Sequence, residues 1–179
     1  MRIGTKSLLF GIHQIFWHPF VVYRAWCYLY GRPTYKELIC IFIHDWGYWG
    51  KPDLDGSEGI LHPRHGAYLA HKWFGFEYWK LCACHSRSYI LKMSIGISGL
   101  EPSRLCWADK MSFIFEPRWF YLLRAQLSGE LKEARLLSVK TAQCPLTASN
   151  KEWYKTMIEY FKNSIPSEIL NTSRKLHGL

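Results

Sequence analysis

Hydrophobic residues recur along this chain at the three- and four-residue spacing of amphipathic helices, and glycines and prolines cut the pattern into helix-length segments. We find no convincing run with the two-residue alternation of a half-buried strand. The pattern predicts helices over residues 19–30, 35–46, 62–73, 76–85, 103–115, 118–127 and 150–163, with a polar helix capped by Ser128 and a short helix after Pro166. The sequence therefore predicts an all-α protein.

The length of the chain indicates a single domain. At 179 residues it can bury one substantial core, but it is too short for two ordinary domains. We expect the domain to cover residues 1–179, with its core at about 15–127 and C-terminal helices at about 128–179 packed on that core. Because 17% of the residues are aromatic, the core should be rich in rings.

The N-terminus and the cysteines predict a cytoplasmic protein. The apolar run at residues 7–12 is interrupted by His13 and Gln14 before it reaches the length of a signal peptide, and we expect no membrane span after it. The six cysteines lie mostly among apolar residues in segments with a helical pattern. Reduced, buried thiols are therefore favoured over a disulfide framework.

The charge of the chain suits an anionic partner. The formal net charge is +9, which fits nucleotides, nucleic acid or an acidic membrane surface. The basic residues are spread along the chain, and this favours a small phosphate-bearing molecule such as a nucleotide over nucleic acid. We expect no membrane partner. A homodimer fits the size of the domain, but the sequence points to no interface.

The candidate chemistry centres on His44-Asp45, at the end of a hydrophobic helix and before a loop rich in glycine and acidic residues. The full series is His18, His44, Asp45, His62, His85 and Asp109, and the intervals from His18 through His44, His62 and His85 to Asp109 are 26, 18, 23 and 24 residues. Each member lies near a predicted helix, often at its end, so a bundle could direct them all to one point. Imidazole and carboxylate suit Mn, Fe, Co, Ni or Zn. Three or four such ligands hold one ion, and a bridging Asp45 would allow two.

Polar residues near this series could support phosphate chemistry. Lys110 directly follows Asp109, and Arg87 stands two residues after His85. Lys51 and Arg64 flank the loop. A water molecule activated by the metal could attack phosphorus at neutral pH. These cations are then candidates to neutralise the charge on the phosphate oxygens. In the loop, Glu58 or Asp55 could act as a general acid or base.

Several of these residues have plainer interpretations. His18 could be satisfied by backbone at a helix start, with His13 as its substitute, and His44 with Asp45 could simply end a helix. His65 could replace His62, whereas His71 and His177 fit surface or packing positions. Cys82 and Cys84 fit a core better than a metal site, since one intervening residue points helical side chains apart. The aromatic residues Trp46, Tyr48 and Trp49 could either pack or stack on a nucleobase.

The motifs around the series resemble a known family. His18-Pro-Phe-Val-Val, Ile43-His-Asp-Trp-Gly-Tyr48, His62-Pro-Arg-His-Gly-Ala67, His85-Ser-Arg87 and Ala108-Asp-Lys110 are similar to the H…HD…H…H…D signature of HD-domain phosphohydrolases, over roughly residues 15–115. The resemblance implies an HD-domain-like helical bundle with a metal site of His18, His44, Asp45 and Asp109. It implies that His62 and His85 are additional ligands in the binuclear branch.

The ligand series and the nearby cations, together with the resemblance, predict a metal-dependent phosphohydrolase that acts on a nucleotide or related phosphate ester. The candidate catalytic residues are Asp45, Glu58, Arg87 and Lys110. His85 is not followed by a second histidine or by the GYP motif of cyclic-di-nucleotide phosphodiesterases, which argues against that activity. Two alternatives stay open. One is an HD-type di-iron oxygenase, and the other is a catalytically silent nucleotide-binding module.

Overall fold

The regular structure of this chain is helical. The computed structural model describes residues 1–96 and 98–178, and within these residues there are eleven α-helices and no strand. Leu179, the last residue of the predicted domain, lies outside the described residues, as does Ile97. The helices are α1 (Ile3–Phe10), α2 (Trp17–Tyr30), α3 (Tyr35–Ile43), α4 (Pro63–Phe74), α5 (Phe76–Ala83), α6 (Arg87–Met93), α7 (Arg104–Phe115), α8 (Arg118–Ser128), α9 (Glu130–Lys140), α10 (Asn150–Ser164) and α11 (Ser167–His177). The predicted all-α fold is confirmed.

Local signals explain several of the helix ends. Helix α2 stops at Gly31, whose φ of +80° suits glycine. Helix α3 starts with a capping box, in which the Thr34 side chain accepts from the Glu37 backbone while the Glu37 carboxylate accepts from the Thr34 backbone. Pro63 occupies the first turn of α4, where its missing N–H costs no helical hydrogen bond.

Other helix boundaries differ from the prediction. Helix α3 ends at Ile43, earlier than predicted, because the chain turns there into a short 3₁₀ helix, Trp46–Tyr48. The sequence pattern does not predict helices α1 and α6, because each is short and shows no clear helical spacing of apolar and polar residues. Ser128 is the last residue of α8, and Gly129, not Ser128, occupies the N-cap position of α9.

The helices pack around a core that supports the centre of the molecule. Helix α2 packs on α7 and α4 packs on α5, and the largest buried cluster draws on these helices together with α3. Helix α10 packs on α7, and α11 packs on α2. All six cysteines are free, and five of them are buried. In the part of the chain that the structure describes, no helix has the length and apolar character needed to cross a membrane.

Two glycines let the chain close tightly around the end of α3. A Cβ atom on Gly66 of α4 would lie 2.6 Å from the Ile43 carbonyl oxygen and 3.0 Å from the His44 Cα. A Cβ atom on Gly47 would lie 1.9 Å from the His62 carbonyl oxygen. Both neighbours are backbone atoms, so the close approach of His44 and His62 requires glycine at these positions.

We expect Gly66→Ala to destabilise the fold. Alanine is intrinsically the better helix residue by about 1 kcal/mol, but overpacking against the α3 backbone should cost more and lower the free energy of unfolding by about 1–3 kcal/mol. Urea unfolding measures the difference. The matched control is Gly96→Ala, where the new Cβ meets nothing within 4 Å. A Gly66→Ala variant more stable than the wild type would contradict the close packing described above.

Candidate metal centre

Five separate segments bring six histidine and aspartate side chains to one point. They are His18 from the first turn of α2, His44 and Asp45 from the end of α3, His62 from the residue before α4, His85 from just after α5, and Asp109 from α7. The start of α7 is fixed to the end of α5 by Ser103, whose N–H donates to the Cys84 carbonyl and whose hydroxyl donates to the Leu81 carbonyl. The whole predicted series therefore converges.

Asp45 lies at the middle of this cluster, and its two carboxylate oxygens face different histidines. Oδ2 lies 3.1 Å from His18 Nε2 and 3.2 Å from His44 Nε2. Oδ1 lies 3.3 Å from His85 Nε2 and 3.5 Å from His62 Nε2. One carboxylate thus joins two pairs of imidazoles, as a bridging ligand between two ions would.

The backbone fixes the orientation of three of the imidazole rings. Each of His44, His62 and His85 places Nδ1 against the carbonyl oxygen three residues earlier in the chain, at 2.7, 2.8 and 2.5 Å. A carbonyl can only accept, so Nδ1 carries the proton and Nε2 keeps its lone pair. This is the arrangement by which proteins orient histidine ligands of metals.

Several donor atoms in the cluster have no hydrogen-bond partner. His18 Nε2, His44 Nε2 and Asp45 Oδ2 are buried without one, because their close approaches to one another lack hydrogen-bond geometry. Unpaired buried polar atoms are costly, and a cation would satisfy all of them. Two triads have ligand atoms within 4.8 Å of one another, namely His18 with His44 and Asp109, and Asp45 with His44 and His85. These buried groups could hold a metal ion.

The charges of the cluster are strongly coupled. Burial raises the pKa of Asp45, but the imidazoles of His44, His13 and His18 outweigh it and hold that pKa well below its usual range. Burial lowers the pKa of His18, yet the carboxylates of Asp109 and Asp45 outweigh that and raise it to about 10. Burial and the nearby His85 ring lower the pKa of His62 to about 3. A proton on His18 therefore balances the carboxylates when no cation is bound.

The cluster is open on the side of Asp109. The Asp109 side chain is 30% exposed, whereas the side chains of the other five residues are at most 8% exposed. Asp55 is an exposed loop residue, and partial burial raises its pKa while the charges of His13 and Lys110 lower it. Glu58 forms an ion pair with Lys51 near the protein surface. A catalytic role for either loop carboxylate stays a prediction.

A buried glutamate next to the cluster was not predicted from the sequence. Glu130, only 1% exposed, accepts hydrogen bonds from the Ser7 hydroxyl at 2.6 Å, the Ile12 N–H at 2.7 Å and the Ser128 hydroxyl, and lies 3.1 Å from His13 Nδ1. The His13 ring contacts the His18 ring edge to face, with centroids 5.3 Å apart. Glu130 thus joins α1 and α9 to the cluster through His13.

The remaining cationic candidates lie around the cluster, not inside it. Arg87 begins α6 and is exposed. Burial raises the pKa of Cys106, one turn before Asp109 on α7, to about 12, and the charges of Lys110 and Arg87 oppose that rise. Lys110 lies over the Phe161 ring at 5.6 Å. Arg64 is exposed on α4. Lys51 is engaged by Glu58, whereas a role of Arg87 and Lys110 at the open side near Asp109 stays a prediction.

A groove of about 910 Å³ borders the cluster. Its walls carry the exposed rings of Trp46, Trp49 and Tyr68, and Gly47 and Leu61, close neighbours of the ligand candidates, also line it. Lys51, Arg64 and His65 add positive or titratable groups. Tyr48 is different: it is buried and stacks on His62 with centroids 3.9 Å apart, so its role is packing.

Three of the alternative histidines, namely His65, His71 and His177, lie outside the cluster, whereas His13 contacts the His18 ring. His65 and His71 are exposed on α4, and His177 stacks on Tyr28. Cys82 and Cys84 are buried, as expected for core residues. His62 and not His65 therefore occupies the position that the motif suggested.

The metal-free protein should be most stable near pH 6.5. His62 stays neutral when folded but gains a proton on unfolding between pH 6.5 and about 3, so stability should fall as the pH decreases through that window. His18 keeps its proton when folded up to about pH 10, so the stability that it contributes is complete below pH 6.5 and should be lost as the pH rises toward 10. Thermal unfolding of chelator-treated protein from pH 4 to 10 measures both limbs. His62→Asn should flatten the acidic limb alone, and a profile unchanged in that variant would contradict the assignment.

Glu130→Ala should destabilise the protein strongly. The change leaves two buried hydroxyls and the Ile12 N–H without their acceptor, and such losses cost about 3–5 kcal/mol when a buried charged group is removed. Denaturant unfolding gives the free energy of unfolding. Glu159→Ala, on the exposed surface of α10, is the control and should change it by less than about 0.5 kcal/mol. Equal changes in the free energy of unfolding for the two substitutions would show that the buried hydrogen bonds of Glu130 do not stabilise the fold.

Comparison with known proteins gives no further guide to this centre. No family model, no curated protein sequence and no solved structure matches the chain. The likeness to HD-domain proteins therefore rests on the sequence motifs. The helical fold and the buried His and Asp cluster are compatible with an HD-like site.

Proposed function

We propose that this chain is an HD-type, metal-dependent phosphohydrolase that acts on a nucleotide or a related phosphate ester. The observation that carries the proposal is the division of the Asp45 carboxylate between two pairs of imidazoles. A purely structural aspartate would accept hydrogen bonds, but here Oδ2 has none. The arrangement is what one or two divalent cations require.

The donor chemistry supports a divalent transition metal. Imidazole nitrogen and carboxylate oxygen together suit Mn, Fe, Co, Ni or Zn. A cation held by His18, His44, Asp45 and Asp109, or a pair held also by His62 and His85, would acidify a water molecule and polarise a phosphoryl group. The open side at Asp109 leaves room for a substrate, which a purely structural site would not need.

The residues around the cluster support a phosphate-bearing substrate. Arg87 and Lys110, which follow two of the candidate ligands closely in the sequence, are candidates to offset the negative charge of phosphate oxygens. Asp55, an exposed loop residue whose pKa is raised by partial desolvation, is a candidate to hold or release a proton. The bordering groove offers the exposed rings of Trp46 and Trp49 to a nucleobase.

A di-iron oxygenase is a second candidate. It is favoured by the same position of Asp45, because five further ligands around one shared carboxylate suit two irons as well as two other ions. The basic side chains that lie close to the ligands in the sequence favour hydrolysis of a phosphate ester. Oxygen uptake by iron-loaded protein, with no phosphate released from any ester, would favour the oxygenase.

We expect purified protein to release inorganic phosphate from nucleotides or a chromogenic phosphate ester after loading with Mn²⁺, Co²⁺, Ni²⁺ or Zn²⁺. Asp45→Asn keeps the shape of the side chain but removes the charge, and His44→Ala removes one donor. Each should lower kcat/KM by more than about 100-fold. Colorimetric phosphate detection measures the rates, and circular dichroism checks that the variants fold.

The control is His71→Ala, which removes an exposed histidine of α4 outside the cluster and should keep the wild-type rate. Turnover unchanged in folded Asp45→Asn would exclude this centre as the site of reaction. Wild-type protein that binds metal but hydrolyses no phosphate ester would exclude the phosphohydrolase assignment while leaving the metal centre standing.

A further inference from the structure

One face of the molecule is apolar. We call it the apolar face, and its residues are Phe10, Phe16, Phe20, Trp119, Leu123 and Leu127. Their exposed fractions range from 39% to 69%. Soluble monomers rarely expose a contiguous apolar patch of more than a few hundred Å², so an exposed apolar face of this kind indicates a binding surface.

The residues of the apolar face are held side by side by contacts between the N-terminal segment and α8. Trp119, Leu123 and Leu127 follow one another at four-residue intervals and so form one stripe along α8. Arg124 donates to the carbonyls of Gly11 and Ile12. The Trp17 ring meets the Phe120 ring edge to face at 5.1 Å. The N-terminal segment that carries Phe10, Phe16 and Phe20 therefore packs against α8, the helix that carries the stripe.

The apolar face carries almost no charge. Residues 7–23 contain no lysine, arginine, aspartate or glutamate, and α8 contains only two arginines. Arg124 is buried against Glu116, so Arg118 is the one exposed charge of α8. Lys6 lies one helical turn before Phe10 in α1, and Arg24 lies one turn after Phe20 in α2. Charge therefore lies at the edge of the face and not at its centre, as a contact between two copies of a chain with a net charge of +9 requires.

Two other exposed rings are partly covered by lysine side chains. Tyr35 and Phe76 are also exposed, but Lys36 lies over the Tyr35 ring at 5.9 Å and Lys80 lies over the Phe76 ring at 5.3 Å. Lysine stems cover apolar surface while their ammonium groups stay in water. Those rings are therefore compatible with solvent, and the apolar face is not covered in this way.

The area of the apolar face suits a stable dimer. A buried aromatic side chain contributes about 150–250 Å², so the four rings of the face, roughly half exposed, offer about 400 Å², and the two leucines add to this area. A standard interface buries about 800 Å² from each partner, of which about 65% is apolar in homodimers. The face thus supplies the apolar centre of an interface of ordinary size.

We propose that the apolar face pairs with the same face of a second copy, giving a two-fold symmetric homodimer in which the α8 stripes lie against each other. A two-fold axis pairs like with like, so the chain needs no second, complementary surface. The contact would also hold the segment between α1 and α2, which carries His13 and leads to His18. The proposal is independent of the reaction at the metal centre.

Analytical ultracentrifugation of the full chain tests the dimer. Wild-type protein at micromolar concentration should sediment with twice the chain mass of 21.1 kDa. Leu123→Asp places a charge at the middle of each stripe, twice per dimer, and should raise the dimer dissociation constant by at least about 100-fold. Leu127→Arg, a second variant at an exposed position, should do the same. The matched control, Leu176→Asp, alters an exposed leucine of α11 and should leave the dimer intact.

Two results would overturn the proposal. One is a wild-type protein that stays at 21.1 kDa up to about 100 μM, well above the dissociation constant of a specific dimer. The other is a dimer that persists in both folded α8 variants, since its interface would then lie elsewhere. A membrane surface is the rival occupant of the face, and flotation with vesicles of anionic phospholipid tests it. If monomeric wild-type protein floats with the vesicles and the Leu123→Asp variant does not, the face binds a membrane and the dimer proposal is wrong.

Discussion

A carboxylate buried among imidazoles is the constraint on which the rest of this structure depends. Asp45 is 5% exposed and lies within 3.5 Å of four histidine nitrogens. A buried charge is tolerated only when it is paired, and here the compensating charge must come from a proton or a cation. The raised pKa of His18 provides the proton, and a divalent ion in its place would satisfy more of the donor atoms.

The fold brings the donors close by removing side-chain bulk and by anchoring rings to backbone. Gly47 and Gly66 allow His62 and α4 to approach the end of α3 more closely than any side chain would permit. The carbonyls of Ile41, Gly59 and Cys82 then set the three imidazoles with Nε2 inward. Because these anchors are main-chain atoms, the geometry of the centre follows from helix ends and not from flexible side chains.

How far the sequence predicts this structure depends on the range of each interaction. Local signals such as Gly31 and the Thr34 capping box mark helix ends directly, and the series from His18 to Asp109 could be recognised from its residue types and motif context. The contact of His13 with Glu130 could not be recognised from the sequence. A glutamate that follows a glycine has no local feature that indicates burial next to a distant histidine. In the same way, Tyr48 and its exposed neighbour Trp49 look alike in sequence, and only the packing of Tyr48 on His62 separates them.

Elemental analysis of the purified, untagged protein by plasma mass spectrometry tests the central claim most directly. The account predicts one or two ions of Mn, Fe, Co, Ni or Zn per chain, and a loss of that metal in folded Asp45→Asn, whose neutral amide cannot bridge cations. A wild-type protein that retains no metal, even after reconstitution with each of these ions, would contradict the account. The buried carboxylates of the cluster would then be compensated only by protons on its histidines.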